Sequence, residues 1–331
     1  MPVPLSILDL AFIGVGERAQ DALHGSVTLA QRAEACGYRR VWYAEHHNMR
    51  RIASSAPAVL IAHVAAHTRS IRLGAGGVML PNHSPLAIAE QYGTLATLHP
   101  GRIDLGLGRA PGGDASTFRA LRRDPNAADN FPQDVLELQT YLGHAGVGGV
   151  IATPGSDTNV PLYILGSSLF GARLAAALGL PYGFASHFAP SALTAAVALY
   201  RREFRPSAVL ARPYVIAGVN VVAADTEAAA RDQLQRAQRL RVSVLLGGGR
   251  DLCDAEADAV LASPQGRFLL DMMQYAAVGT PEVVRANLER FAQHADADEL
   301  MLALGGSTVG ERVHAAELVA EVWDQGQAAA S

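Results

Sequence analysis

The chain has 331 residues, of which half are apolar, and a formal net charge of −4. This length suits one large α/β domain, and the absence of a basic block argues against a nucleic-acid or anionic-membrane surface. The two cysteines, Cys36 and Cys253, fit neither a metal-binding nor a redox spacing. No apolar run reaches membrane-spanning length, and the first residues look like a strand rather than a signal peptide. These features predict a cytoplasmic protein.

Apolar strand-like runs alternate with helical patterns along the chain. Strands are predicted at residues 5–12, 41–44, 71–75, 103–107, 162–165, 182–185, 214–223 and 299–304. Helices are predicted at residues 26–36, 57–68, 85–98, 133–142, 171–178, 192–204, from about 224, and at 311–323. Strands separated by helices pair in parallel, so eight such units predict a (β/α)8 TIM barrel in a single domain, residues 1–331. A doubly wound open sheet is the alternative.

Residues 245–280 do not follow this alternation. They contain "LLGGGRDLCDAEADAV" and "SPQGRFLLDMMQYAAVGTPEVV". We interpret the stretch as an insertion before the eighth unit. It is either a mobile cover over the site or an ordinary surface excursion.

The second predicted strand ends on "AEHHNM", with two adjacent histidines. Chemistry in a TIM barrel takes place at the C-terminal ends of the strands. Because side chains alternate along a strand, Ala44 and His46 share one face, while Glu45 and His47 share the other. The two histidines therefore do not form a joint metal site. A second histidine pair, in the helix predicted at residues 57–68, lies on the outer ring, so no metal is expected.

Glycines cluster at the end of the third strand, in "LGAGGVML". Gly76 and Gly77 suggest an unusual backbone, such as a cis peptide, or the close approach of a ligand, although a simple exit into a loop is the alternative. The next motif, "GRIDLGLGRAPGGD", fails as a dinucleotide fingerprint because Pro111 stands where a third glycine is required. Arg109 at that strand end could bind a phosphate or could pair with Asp114.

A turn of small residues follows the fifth strand. Gly166, Ser167 and Ser168 precede a helix, whose free N–H groups suit an anion, unless the serines form an ordinary N-cap. This turn and Arg109 belong to neighbouring strands, so both could hold one phosphate. His187, after the sixth strand, is either a pocket residue or a rim histidine.

Together these motifs resemble the bacterial luciferase-like flavin monooxygenase family, especially single-component members similar to the luciferase α subunit. The resemblance rests on "GYRRVWYAEHHNM", "LGAGGVMLPNHSPLAIAEQYGTLATLHPGRIDLGLGRAPGGD", "LGSSLFGARLAAALGLP" and "VGTPEVV". It implies a homodimeric TIM barrel that binds FMN, which a separate NAD(P)H flavin reductase reduces. It further implies that reduced FMN and O2 oxidise a small organic substrate through a flavin C4a-hydroperoxide.

The resemblance also implies roles for individual residues. His46 would act near the flavin, the peptide between Gly76 and Gly77 would be cis against the ring, and Arg109 and Ser167 would bind the phosphate. The expected cofactor-binding residues are Ala44, Gly76, Gly77, Gly108, Arg109, Gly166, Ser167 and Ser168, and the expected catalytic residues are His46 and His187. The luciferase α subunit has a glutamate in place of Gly166, a departure that bears on how the phosphate is bound. It has a cysteine in place of Gly108, and its tryptophan-lined pocket is not matched at Ser186, so bioluminescence is not expected.

Three alternatives remain at this point. The same barrel could transfer hydride with the deazaflavin F420 and ignore O2. The protein could also bind or store flavin without turnover. A barrel enzyme without flavin is disfavoured, because no predicted strand ends in a lysine suited to a Schiff base or in a set of metal ligands.

Overall fold

The structure is a computed structural model that describes residues 3–110, 115–124, 126–247 and 250–328. The strands in these residues are β1 Leu5–Asp9, β2 Arg40–Tyr43, β3 Arg72–Met79, β4 Ile103–Gly108, β5 Leu162–Gly166, β6 Tyr182–Phe184, β7 Val215–Ala223, β8 Ala276–Gly279 and β9 Glu299–Leu304. The α-helices are α1 Ala19–Ala35, α2 Pro57–Ala65, α3 Pro85–Leu98, α4 Ala115–Ala120, α5 Phe131–Leu142, α6 Leu169–Leu178, α7 Leu193–Glu203, α8 Glu227–Leu246, α9 Asp254–Leu261, α10 Pro264–Met272, α11 Pro281–His294 and α12 Val309–Ala328.

Eight of the strands close into a parallel barrel. Each of β1 to β6 pairs with the next strand along the chain. The barrel closes because β7 pairs with β9 and β9 pairs with β1. The predicted (β/α)8 TIM barrel is confirmed, and the open sheet is excluded. The sequence did not predict β8, which adds to the edge of β7 along Asn220–Ala223. Its four residues, AAVG, are too short and too small to give a strand pattern.

Strand β3 is longer than predicted and contains an irregularity. It continues past Ala75 to Met79, with a register shift between Ala75 and Val78. The peptide bond between Gly76 and Gly77 is cis, as the sequence suggested. A Cβ atom on Gly76 would lie 2.8 Å from Cβ of Trp42, so the backbone approach requires glycine here.

A buried polar layer lies at the N-terminal end of the barrel interior. Nη1 of Arg40 donates to Oδ2 of Asp104 and to the hydroxyl of Tyr163, both at 2.7 Å, and Nη2 donates to Oε2 of Glu299 at 3.2 Å. Asp104 and Glu299 are fully buried. These carboxylates compensate the buried guanidinium, which would otherwise be costly to desolvate.

Apolar side chains fill the two other parts of the core. The barrel interior above the polar layer contains Leu8, Trp42, Ala44, Tyr163, Ile216 and Met301. A larger cluster lies between the barrel and the helices that surround it. In the part of the chain that the structure describes, no helix is long and apolar enough to span a bilayer.

The predicted insertion, residues 245–280, contains the end of α8 together with α9, α10 and β8, while residues 248 and 249 lie outside the described residues. Helix α8 packs against α9. In the outer ring before β9, the helix that packs against β7 and α12 is α11. Helix α8 begins before the predicted range and ends within it. It therefore belongs to the same inserted segment. Whether this excursion is a mobile cover stays a prediction.

Candidate active site

A cavity of about 560 Å³ opens at the C-terminal ends of the barrel strands. This volume is in the range of small-molecule and cofactor sites. All ten residues that the sequence singled out line this cavity: Ala44, His46, Gly76, Gly77, Gly108, Arg109, Gly166, Ser167, Ser168 and His187. Their placement together is a finding, whereas their roles stay predictions.

Strand alternation separates the two adjacent histidines as predicted. His46 lines the cavity, whereas Glu45 is fully buried on the other face and contacts Nε2 of His47 at 2.8 Å. Oε1 of Glu45 also lies 2.9 Å from Nε2 of His83, and Oε2 accepts from the N–H of Met79 at 3.0 Å. Burial alone would raise the pKa of Glu45, but these partners, His83 foremost, hold it below its ordinary value.

His46 and His187 each present a ring nitrogen without a partner. The Nδ1 atoms of both are buried and make no hydrogen bond within the described residues. Burial lowers the pKa of His46 and lowers that of His187 to about 3, with smaller contributions from Arg241 and His46. Both imidazoles are therefore neutral near pH 7, and the buried Nδ1 atom of each lacks a partner among the described residues.

The ring of His187 lies directly on strand β7. A Cβ atom on Gly218 would come within 2.3 Å of Nδ1 of His187, so only glycine leaves room for the imidazole. Phe188 packs against the same ring edge-on, at 5.0 Å between ring centroids. His187 therefore lines the cavity, and its catalytic role stays a prediction.

Arg109 reaches from the end of β4 to the start of α6. Its guanidinium carbon lies 4.1 Å from the centroid of Phe170 in the first turn of that helix, which is a cation–π contact. Ser168 is the N-cap residue of α6, yet its side chain makes no capping hydrogen bond. Arg109, Ser167 and Ser168 all line the cavity, so a guanidinium and the start of a helix meet there, an arrangement that suits an anion. Pro111 and Asp114, named in the alternatives above, lie outside the described residues.

The structure adds cavity residues that the sequence did not indicate. One face of α8 contributes Ala237, Leu240, Arg241, Val244 and Leu245, and further lining residues include Met79, Phe170, Asn220, Met272 and Met273. The 3–4-residue spacing on α8 is readable as an amphipathic helix, but sequence alone could not place that face over the barrel mouth. Among the described residues, no group of three or more His, Cys, Asp or Glu side chains could hold a metal ion.

The sequence profile of luciferase-like monooxygenases matches residues 3–299. The chain belongs to this family. It is 44% identical over 327 residues to a luciferase-like monooxygenase of Escherichia coli strain K12, covering 98% of both chains. It is 43% identical over 189 residues to the N-acetyl-S-alkylcysteine monooxygenase of Bacillus subtilis, covering 55% of this chain and 57% of that one. Family membership makes the protein a flavin-dependent monooxygenase.

Solved structures agree with this assignment. The crystal structure of apo-MsnO8 has a TM-score of 0.88 at 33% identity, covering 98% of this chain and 99% of that one. Two chains at 17% identity share the fold alone, each covered to 98% and covering 97% of this chain. They are the oxygenating constituent of 3,6-diketocamphane monooxygenase from Pseudomonas putida in complex with FMN, TM-score 0.72, and an F420-dependent secondary alcohol dehydrogenase, TM-score 0.68.

Proposed function

We propose that the protein uses reduced FMN and O2 to insert one oxygen atom into a small organic substrate. The observation that carries this proposal is one cavity lined both by His46, whose Nδ1 has no partner among the described residues, and by Arg109 and Ser168 at the start of α6. FMN needs an apolar cleft for its ring and a polar end for its phosphate, and this cavity offers both.

The residues present fit FMN. Arg109, Ser167 and Ser168 would hold the phosphate, because a guanidinium and free N–H groups at a helix start favour phosphate oxygens. The backbone at Gly76–Gly77, which carries no side chain on the cavity wall, would lie against the ring. Ala44 and Gly108 would also lie against the cofactor. A Cβ atom on Gly166 would make only ordinary van der Waals contact with Tyr182.

The bound reduced flavin would supply the activation of O2 at its C4a carbon, as the family resemblance implies. The chain would bind the flavin, orient the substrate and exclude water. His46 would hold or move a proton at a ring nitrogen, for which a neutral imidazole is suited. His187 would add a second imidazole to the lining of the cavity. The separate reductase, the homodimer and the cytoplasmic location belong to this proposal.

The experiment begins with titrations of the purified protein with oxidised FMN, reduced FMN and F420. It continues with turnover under ¹⁸O2 with an added NAD(P)H flavin reductase, starting from an N-acetyl-S-alkylcysteine because a relative is named for that substrate class. The proposal predicts binding of reduced FMN and one ¹⁸O atom in the product. Preferred binding of F420 with hydride transfer would favour the deazaflavin alternative. Binding of FMN without product from any substrate class would favour a storage protein.

A further inference from the structure

Arg241 is a charged side chain in the cavity that the proposed mechanism leaves unused. It lies on the face of α8 that lines the cavity, next to Leu240, Val244 and Leu245. Met272 and Met273 line the same side. The neighbours of Arg241 along this part of the cavity lining are therefore mostly apolar side chains.

The charge of Arg241 has no counterpart in the part of the chain that the structure describes. No hydrogen bond or ion pair joins Arg241 to another described residue, and burial lowers its pKa, although an arginine stays protonated near neutral pH. The side chain is half-buried, and a charge held partly away from water without a partner is stabilised by a ligand of opposite charge.

The other charged groups in the cavity are already engaged. Asp9 accepts from the N–H of Ala11 at 2.9 Å and from the hydroxyl of Ser26 at 2.5 Å, so both of its oxygens are used. Arg312 donates to the carbonyl groups of Gly306 at 3.3 Å and Phe12 at 3.2 Å. The cavity thus contains cations in excess. Among the described residues Arg109 contacts the ring of Phe170, whereas Arg241 has no hydrogen bond, ion pair or ring contact.

Arg241 is also separate from the phosphate end of the cavity. Arg109 reaches the start of α6 from β4, whereas Arg241 comes from α8 and acts electrostatically on His187. Arg241 and His46 both contribute to the lowered pKa of His187. Arg241, His46 and His187 all line this one cavity, so the positive charge shares with the two unpartnered histidines the space in which a substrate would be held.

We infer that Arg241 binds the carboxylate of the substrate, whose apolar part lies among Leu245, Met272 and Met273. This inference rests on the proposed function, since it names the substrate class of the same site. A planar carboxylate matches the guanidinium fork with two parallel hydrogen bonds. The substrate class is therefore an organic acid with an apolar chain, rather than an uncharged hydrocarbon, ketone or aldehyde.

The test compares octanoate with octanamide, which has the same chain length but no charge. Calorimetric titrations use the wild type, Arg241→Met, Arg241→Lys and Arg267→Met, each with and without added FMN. Arg267 is an exposed arginine on α10, outside the cavity, and serves as the matched control. We expect the wild type and Arg267→Met to bind octanoate at least about 10-fold more tightly than octanamide. Arg241→Met should lose this preference, and Arg241→Lys should keep part of it.

Further measurements on the same preparations separate this inference from the proposed function. Circular dichroism and FMN affinity should be unchanged in Arg241→Met, which shows that the fold and the cofactor site are intact. The inference is overturned if octanoate binds the wild type no better than octanamide, or binds Arg241→Met as tightly as the wild type. Octanoate preference without binding of reduced FMN would support the carboxylate site and contradict the proposed function.

Discussion

Nε2 of His47 and Nε2 of His83 both contact Oε1 of Glu45, at 2.8 and 2.9 Å. This buried carboxylate joins the segment after β2 to the segment after β3. Because Glu45 and His46 are adjacent on alternating faces, the contact fixes the strand end from which His46 enters the cavity. His47, the second histidine of the pair, therefore contacts the buried carboxylate rather than the cavity.

Replacement of Glu45 by Gln should lower the free energy of unfolding by about 1–3 kcal/mol at pH 7, because an amide cannot accept from all of these donors. The folded carboxyl group has a lowered pKa, so its contribution is complete above the ordinary Glu pKa of about 4.3. It is lost as the pH falls from there through the lower folded value. Chemical denaturation of both proteins from pH 7 to pH 3 should show the difference shrinking at the acid end.

The control for this change is Glu282→Gln. Glu282 is exposed and accepts from Thr280 at 3.1 Å, so its replacement should change stability by less than about 0.5 kcal/mol. Equal effects of the two substitutions would show that the buried contacts of Glu45 do not stabilise the fold.

Replacement of His46 by Ala should reduce turnover by about 10²- to 10⁴-fold, the usual contribution of a group that moves a proton. FMN affinity should remain near that of the wild type, since the phosphate end of the cavity is untouched. Steady-state kinetics with a separate FMN titration distinguishes the two effects. His47→Gln tests the neighbouring residue, whose ring faces Glu45, and should affect stability more than turnover. Normal turnover in His46→Ala would remove His46 from the mechanism.

Replacement of Arg109 by Met should weaken FMN binding by about 10- to 100-fold, because a hydrogen bond to a charged group contributes about 1.5–3 kcal/mol. Riboflavin, which lacks the phosphate, should bind the variant and the wild type alike. Arg119→Met, at an exposed arginine of α4, should leave both affinities unchanged. If riboflavin binding fell as much as FMN binding, the role of Arg109 in phosphate binding would be refuted.

Replacement of His187 by Gln should make stability less sensitive to acid. The folded pKa of His187 is about 3, below the ordinary value of about 6.5. Between these two pH values this histidine is protonated in the unfolded chain and neutral in the folded protein. Stability therefore falls as the pH decreases from about 6.5 towards 3. At pH 5 the loss is about 1–2 kcal/mol, and the variant should lack it. Thermal melts at pH 8 and pH 5 test this, with the exposed His24→Gln as control.

The sequence predicted the barrel because eight apolar runs alternate with helical patterns, and each run is buried on both faces. It also predicted the orientation of His46, since alternation along β2 leaves one choice once its neighbour is placed. Gly76 and Gly77 were readable because glycine within a strand needs a backbone reason. These features depend on local sequence, so tertiary structure did not change them.

Arg241 and β8 could not be predicted in this way. The apolar face of α8 is typical of any surface helix, and its contact with the cavity depends on how the excursion folds over the barrel mouth. Strand β8 forms because β7 extends beyond β6 and leaves an unpaired edge at Asn220–Ala223. Both features depend on long-range packing, which a single sequence does not display.

The layer around Arg40 gives the barrel two unlike ends. Its guanidinium and the carboxylates that bind it fill the interior at the N-terminal end, while the cavity opens at the other. Among the described residues, any ligand of the cavity would then enter and leave from the C-terminal side of the barrel. A molecule lying deep beside Trp42 has to leave after anything that binds above it, so the order of arrival and departure is built into the shape of the barrel.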